Sequence, residues 1–425
     1  MSAASAPRGA AVRDSGPGSG VAALSLPGLG GEAVWSVAMP PKGYEDDAPE
    51  VVVVGATVVV VTPTGPASGG YEYGVPRRAT RPQRVELREA ATGAVRASFA
   101  VFGAVSAETW RGRPAVVVRG RRVTPAEGLT REKRDWRVDA YDEQGARIGG
   151  VELPPNEDSA GGVAVVDGWV VTGVHDRGRR AVRISAAGGD ATGVTLPCAL
   201  GNCDPTVAYS ESPFVMGDTA FLPDQSGPEI DAPGRVTAYD IATGARRWST
   251  DGVTGPAGSD PNAYPHGMRP AVVGRVGEQV VVAWRTSPRG TEVVLGLHDR
   301  LTGALIATGP RVPDGVSEFR TDAGGTLAVV CGDRCAAWEP ATGLTLWQQG
   351  RDELSFAPRT VVGGVVYGVR KDGGAMGPTT PLALDARSKR VLSPMPPDVT
   401  ITAISDHWAL VTTERVVLVY PVRTL

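Results

Sequence analysis

The chain has 425 residues, and its 56 glycines and 35 prolines favour short strands separated by frequent turns. Its 43 Lys and Arg residues against 46 Asp and Glu residues give a net charge of -3. This balance argues against nucleic acid as a partner, because binding a phosphate backbone needs an excess of basic side chains. The longest apolar run, residues 51–61, is too short for a membrane-spanning helix, so we expect no transmembrane segment in this chain.

The N-terminal 30 residues are small, polar and rich in Gly, Pro and Ser, and they lack the apolar stretch of a secretory signal. We expect residues 1–30 to form a flexible tail and residues 31–425 to form a single domain.

One pattern recurs along the rest of the chain: an apolar strand, a second strand ending in an acidic residue, then Thr-Gly and a third strand. Its clearest copies span residues 236–248, 295–307 and 335–347, and weaker copies span residues 85–97, 138–150, 182–194 and 382–394. Residues 408–422 supply an eighth unit without its last strand, and residues 31–37 match that missing strand. The sequence therefore predicts an all-β, eight-bladed β-propeller, with seven blades as the alternative, whose last blade is closed by the N-terminal strand.

The acidic residue and the glycine of the repeat have a structural explanation. We expect each carboxylate to accept hydrogen bonds from backbone N–H groups of the turn that follows it, and each glycine to adopt the positive φ that ends the turn. In the three clearest copies these residues are Asp240 and Gly244, Asp299 and Gly303, and Glu339 and Gly343. We therefore interpret them as turn residues rather than catalytic groups.

Three tryptophans occupy equivalent positions on the outer strand, four residues after the repeat glycine or its counterpart. They are Trp35, Trp248 and Trp347. A large flat ring at this position is expected to wedge between adjacent blades.

The four cysteines form two close pairs, Cys198 with Cys203 and Cys331 with Cys335. The second pair flanks a three-residue turn between strands, a spacing compatible with a disulfide. Two local disulfides predict an oxidising compartment. A four-cysteine zinc site or free thiols are the alternatives.

Long polar loops with aromatic residues are typical of binding sites on a rigid scaffold. Three segments are longer than a tight connection requires: residues 63–84, 120–136 and 254–269. The residues in them that we expect to contact a ligand are Tyr71, Tyr73, Arg77, Asp260, Asn262, Tyr264 and His266. The alternative is that these loops are insertions without a binding role.

The repeat, an apolar run followed by A-x-D-x-x-T-G-x-x-x-W, resembles that of the quinoprotein-like (PQQ-like repeat) propellers. This family includes PQQ-dependent dehydrogenases and non-enzymatic, BamB-like scaffold proteins. The resemblance implies the fold more firmly than the activity. The adjacent cysteine pair and the calcium ligands of the dehydrogenases have no counterparts that we can place in this sequence.

The sequence thus favours a non-enzymatic scaffold or sensor that presents loops to a protein or small-molecule partner, without a cofactor or metal, as a monomer. The four histidines are scattered without metal-ligand spacing, and we expect His298 to flank a turn. An extracytoplasmic or cell-surface location follows from the cysteines, with the cytoplasm as the alternative. The competing function is a PQQ- or metal-dependent dehydrogenase with its site at the mouth of the central channel.

Overall fold

The computed structural model describes residues 26–39, 49–65, 82–124, 133–152, 163–176, 179–186, 193–197, 214–225, 234–260, 270–371, 379–395, 399–403, 407–413 and 416–423. In these residues all regular secondary structure is β, arranged as eight four-stranded antiparallel sheets. Within the same residues no helix is long and apolar enough to cross a membrane. First strands of most successive sheets contact one another, which places the sheets as blades around a common axis.

Blades are numbered along the chain. Blade 1 contains β2 (Glu50–Val54), β3 (Thr57–Pro63), β4 (Pro82–Glu89) and β5 (Val95–Phe102), and blade 2 contains β6 (Ala104–Trp110), β7 (Arg113–Thr124), β8 (Lys133–Tyr141) and β9 (Arg147–Glu152). Blade 3 contains β10 (Val163–Val166), β11 (Trp169–Asp176), β12 (Arg179–Ala186) and β13 (Val194–Pro197), and blade 4 contains β14 (Phe214–Met216), β15 (Thr219–Gln225), β16 (Gly234–Asp240) and β17 (Arg246–Ser249). Blade 5 contains β18 (Ala271–Val276), β19 (Gln279–Arg285), β20 (Val293–Asp299) and β21 (Leu305–Val312), and blade 6 contains β22 (Glu318–Thr321), β23 (Ala328–Cys331), β24 (Cys335–Glu339) and β25 (Leu344–Gln348). Blade 7 contains β26 (Phe356–Val362), β27 (Val365–Lys371), β28 (Thr379–Asp385) and β29 (Val391–Pro394), and blade 8 contains β30 (Thr400–Ala403), β31 (Trp408–Thr412), β32 (Val416–Pro421) and β1 (Trp35–Ala38).

The ring closes in blade 8, where the N-terminal β1 pairs antiparallel with the C-terminal β32. Trp35 lies opposite Val419, and Val37 lies opposite Val417. The predicted eight-bladed propeller with its last blade completed by the N-terminal strand is therefore confirmed, and the seven-bladed alternative is wrong.

The packed chain begins before β1. Leu26 and Leu29 are buried in the apolar cluster between blades 7 and 8, and Leu29 forms a β-bridge with Val422. The backbone N–H of Arg423 donates to the carbonyl of Gly28 at 2.8 Å. Residues 26–30, which the sequence analysis assigns to the N-terminal tail, are therefore packed against the last blades, because two leucines within this Gly- and Pro-rich segment reach the core.

Each blade buries both faces of its second strand. In β3, Val58 and Val60 face blade 8, whereas Val59 and Val61 face blade 2. The buried apolar residues of the described chain form eight clusters, and each cluster joins two neighbouring blades. Continuous valine runs are expected where a strand has no solvent-facing side, and side chains alternate between the two interfaces.

Antiparallel order gives the ring two different faces. In blades 1 to 7 the turns that join strands one to two and strands three to four leave on one side, which we call the turn face; in blade 8 the end of β32 and the start of β1 lie on this same side without being joined. The connections from strand two to three, and from strand four to the next blade, leave on the opposite side, the loop face. The first two long segments, residues 63–84 and 120–136, connect second to third strands, with residues 120–124 in β7 and residues 133–136 in β8, and the third, residues 254–269, lies between β17 and β18. The strand ends that border all three connections therefore lie on the loop face.

Candidate functional site

A cleft opens on the loop face between blades 4 and 5, with a volume of about 670 Å³. We call it the blade 4–5 cleft. Its lining comes from the start of β16, from the chain that follows β17, and from β19. The lining residues are Gly234, Arg235, Thr250, Asp251, Val253, Thr254, Gly255, Pro256, Ala257, Gly258, Ser259, Pro270 and Trp284.

The wall of the cleft is the first half of the long connection predicted from the sequence. Gly255 lets the backbone pass close to the Trp284 ring, since a Cβ there would lie 3.2 Å from Cε3 of Trp284. Farther along, the Asp260 backbone N–H donates to the carbonyl of Arg285 at 3.0 Å. Asp260 thus ties the loop to blade 5 just beyond the cleft. Asn262, Tyr264 and His266 lie outside the described residues.

A charged pair lies at the rim of the cleft. Nη1 of Arg235 donates to Oδ2 of Asp251 at 2.8 Å, and Nη2 of Arg246 donates to Oδ1 at 3.1 Å. Partial burial alone would raise the pKa of Asp251, but the hydrogen bonds from Ser249 and Arg235 outweigh it and hold that pKa below its ordinary value. The carboxylate is therefore ionised at neutral pH, and the rim presents one cation and one anion side by side.

The floor of the cleft is Trp284, which is 3 % exposed. Its Nε1–H points to Nε2 of His298 at 3.1 Å, and Nδ1 of His298 lies 2.9 Å from the carbonyl oxygen of Gly303. His298 itself is fully buried. His298 flanks the repeat turn as expected, since it precedes the turn acid Asp299 and contacts Gly303; the sequence did not indicate that its ring lies in the interface between blades 4 and 5.

The repeat turns differ between Asp and Glu. Oδ1 of Asp299 accepts from the backbone N–H groups of Leu301 and Thr302 at 3.1 and 2.8 Å, and Oδ1 of Asp240 accepts from the N–H of Thr243 at 2.9 Å. Glu339 has a longer side chain, and its Oε2 accepts from the Thr342 hydroxyl at 3.3 Å instead. The three repeat glycines all have positive φ: Gly244 at 71°, Gly303 at 73° and Gly343 at 76°.

Each repeat tryptophan contacts the following blade. Nε1 of Trp35 donates to the carbonyl of Ala90 at 2.7 Å, Nε1 of Trp248 donates to that of Arg300 at 2.9 Å, and Nε1 of Trp347 donates to that of Ala386 at 2.9 Å. Each acceptor is the residue after the turn acid of the next blade. The rings thus occupy blade interfaces, away from the cleft opening.

Cys331 and Cys335 form a disulfide in blade 6, with their Cα atoms 4.0 Å apart. The two residues are directly paired across β23 and β24, and both are 1 % exposed. Cys198 and Cys203 lie outside the described residues, as do the predicted loop residues Tyr71, Tyr73 and Arg77.

The turn face carries a cavity of about 510 Å³, which we call the channel mouth and which is lined by first turns of blades 2 to 6. Its carboxylates already have partners. Asp167 accepts from the backbone N–H groups of Gly112 at 2.6 Å and Gly217 at 2.8 Å, Asp322 accepts from that of Leu327 at 3.0 Å, and Glu278 pairs with Arg300 at 3.0 Å. Asp167 thereby links three blades. Among the described residues, no group of three or more His, Cys, Asp or Glu side chains is placed to hold a metal ion.

The sequence did not single out three residues that shape the cleft: Arg235, Asp251 and Trp284. Trp284 is the last residue of a predicted apolar strand, and this position in the sequence does not indicate that its side chain will form the floor of a cleft. Arg235 and Asp251 are 16 positions apart and meet because β16 and β17 pair. That pairing, once predicted, is the signal by which they could have been found.

No protein-family model matches the chain, and no curated protein matches it. Solved structures that resemble it include BamB from Moraxella catarrhalis, with 16% identity over 88% of this chain and 96% of that one and a TM-score of 0.45. The computationally designed protein Ika8 has 15% identity over 91% and 98% of the two chains, with a TM-score of 0.46. The C-terminal WD40 domain of Sif2 has 10% identity over 88% and 97%, with a TM-score of 0.45. At these identities the similarity concerns the fold.

Proposed function

We propose that this chain is a non-enzymatic binding propeller that captures a protein or small-molecule partner on its loop face, with the blade 4–5 cleft as the centre of the contact. The observation that carries the proposal is that the cleft and the strand ends bordering the long connections share one face of the ring. A rigid ring that concentrates its irregular segments on one side is suited to recognition, because the blades hold the loops in fixed relative positions.

The rim of the cleft suits a ligand with both polar and apolar groups. The Arg235–Asp251 pair supplies a donor and an acceptor at 2.8 Å from each other, whereas Val253, Pro256 and Trp284 supply apolar surface. A ligand that enters the cleft exchanges water for these contacts, and the charged pair fixes its orientation.

The same proposal includes a quinoprotein-like ancestry and an extracytoplasmic working place for a monomeric ring. Its support is the repeat and the Cys331–Cys335 disulfide, since disulfides persist in oxidising compartments. Titration of the denatured chain with a thiol reagent, with and without reductant, tests the location, because both cysteines are buried in the native chain. Reaction of Cys331 and Cys335 with the reagent before reduction would contradict it.

Site-specific photocrosslinking tests the binding face. Ala257 in the cleft wall and Ala323 at the channel mouth are both exposed, and they lie on opposite faces. Each is replaced in turn by a photoreactive phenylalanine derivative in the cells that produce the protein. We expect a discrete crosslinked product from position 257 that is lost when Arg235→Ala and Asp251→Ala are added. Crosslinks confined to position 323 would overturn the proposal.

A thermal-shift measurement with PQQ and calcium separates this function from the dehydrogenase alternative. A ligand that binds the native state raises the melting temperature. We expect the Tm with both compounds to equal that in buffer. A raised Tm, with quinone absorbance retained after desalting, would make the chain an oxidoreductase.

A further inference from the structure

The buried ring of His298 has a single tautomer that satisfies its contacts. An indole N–H can donate but never accept, so Nε2 of His298 must accept the bond from Trp284 at 3.1 Å. The ring proton therefore sits on Nδ1, where it donates to the Gly303 carbonyl at 2.9 Å. His298 is neutral in this arrangement.

A second proton on the ring is incompatible with this geometry. It would bind to Nε2 and point at the N–H of Trp284, so that two donors face each other. On the side of β20 the Trp284 indole cannot shift to another position beside Nε2, because the backbone of Gly296 lies there. A Cβ built on Gly296 would lie 2.5 Å from Nε2. Protonation therefore requires the ring of Trp284 to move away.

The groups packed on the His298 ring are uncharged in the described part of the chain. They are Trp248 of β17, with ring centroids 6.3 Å apart, Trp284 of β19, Gly303 of the turn, Gly296 of the same strand, and Val280 and Leu305 of the paired strands. The adjacent charged residues have other partners: the Asp299 carboxylate accepts from its own turn, and Arg300 pairs with Glu278 and Asp218. No carboxylate among them is placed to stabilise an imidazolium.

We propose that His298 is a proton sensor for the blade 4–5 cleft: protonation breaks its contact with Trp284, displaces the floor of the cleft and lowers affinity for the ligand bound there. The proposal rests on the function assigned above to that cleft. The coupling runs both ways, because a ligand that requires Trp284 in place also favours the neutral ring.

The sign of the effect follows from burial. Burial lowers the pKa of His298 from its ordinary value of 6.5 and outweighs the bond to Gly303. The unfolded chain binds the proton first as the pH falls through 6.5, and a state in which Trp284 has moved away binds it more readily than the closed arrangement does, so the closed arrangement loses stability below that pH. It is fully favoured above it.

Nuclear magnetic resonance on the full-length protein measures the protonation of His298 and the response of Trp284 in the absence of any ligand. Long-range ¹⁵N spectra report the tautomer and titration of His298, and the indole N–H signal of Trp284 is assigned with Trp284→Phe. We expect the Nδ1–H tautomer at pH 7.5. Between pH 6.5 and 4.5 the Trp284 signal should shift or disappear, while that of Trp248, which donates to a backbone carbonyl, stays in place.

Hydrogen exchange detected by mass spectrometry reports the cleft wall. After correction for the intrinsic pH dependence of exchange, amides of residues 252–260 should exchange faster at the acid end, by up to about tenfold for each pH unit over which His298 becomes protonated. In His298→Gln, whose side-chain oxygen can accept the bond from Trp284, this acceleration should be absent. His407→Gln, at an exposed histidine of blade 8, is the matched control and should behave as the parent protein.

An Nε2–H tautomer, or a Trp284 signal and loop exchange that do not change with pH while the protein stays folded, would overturn the sensor and leave the crosslinking result intact. If His298→Gln does not fold, Trp284→Phe provides the second variant. Without the indole donor, Nε2 loses its partner, and the titration of His298 should move toward the ordinary value of 6.5. A crosslinking failure with this titration present would instead reject the binding function alone.

Discussion

At the scale of single residues, equivalent positions of the repeat have diverged in hydrogen bonding. Thr57 and Thr219 each begin the second strand of a blade, and both are fully buried. Oγ1 of Thr57 has no hydrogen-bond partner among the described residues. Oγ1 of Thr219 accepts from Nη1 of Arg247 at 2.6 Å and lies 3.2 Å from Oδ1 of Asp218.

This difference predicts opposite effects of one substitution. Thr57→Val replaces a buried hydroxyl without a partner by a methyl group of similar size, and we expect the free energy of unfolding to rise by about 1 kcal/mol. Thr219→Val removes a hydrogen bond to a charged group and should lower it by about 2 kcal/mol. Urea unfolding of both variants measures the pair, and a loss of stability in Thr57→Val would contradict the prediction.

At the scale of the element, the blade interface depends on the glycine of the repeat turn. Gly303 has a φ of 73°, and a Cβ there would lie 2.7 Å from Cδ2 of Trp248. Gly315, at a φ of 80°, has open space around it. Both positions therefore carry the same backbone requirement, but a tryptophan of the previous blade packs on Gly303.

Alanine at the two glycines separates these contributions. Gly315→Ala should cost about 1 kcal/mol, the strain of a side chain at positive φ. Gly303→Ala should cost about 3 kcal/mol, because it also displaces Trp248 from the interface. Thermal unfolding followed by circular dichroism compares them; equal losses would mean that the tryptophan contact contributes little.

At the scale of the whole molecule, stability depends on the closure of blade 8. Val37 of β1 is 1 % exposed and packs between blades 8 and 1, whereas Val34, three residues earlier, is 38 % exposed. Val37→Asp places a charge in this interface and should lower the free energy of unfolding by about 3 kcal/mol or more. Val34→Asp should change it by less than about 0.5 kcal/mol.

The closure of blade 8 also predicts how the Val37→Asp variant unfolds. Because every blade is held by two neighbours, opening one interface weakens the entire ring, and Val37→Asp should still unfold in a single transition with coincident circular dichroism and tryptophan fluorescence. Two separated transitions would show that blade 8 unfolds independently of the rest.

How much of the structure could be predicted from the sequence depends on which features recur in every copy of the repeat. Blade number, ring closure and the turn glycines could be predicted, because the same local requirement recurs at a fixed offset. Leu26 was missed because it belongs to no copy of the repeat. The burial of the His298 ring between blades 4 and 5 could not be predicted, because its sequence neighbours indicate only the adjacent turn. The Arg235–Asp251 rim depends on strand pairing and on one interface, neither of which leaves a motif.

The path of the chain ends has a practical consequence for studying this ring. Leu29 and Val422 meet beside the turns of blades 7 and 8, so both ends of the described chain reach the turn face. A sensor chip, bead or fusion partner joined close to Leu26 or Arg423 would therefore hold the disk with its loop face toward the solution. Because both ends lie on the turn face, attachment through either of them orients the protein, and no engineered attachment site is needed to leave the cleft accessible.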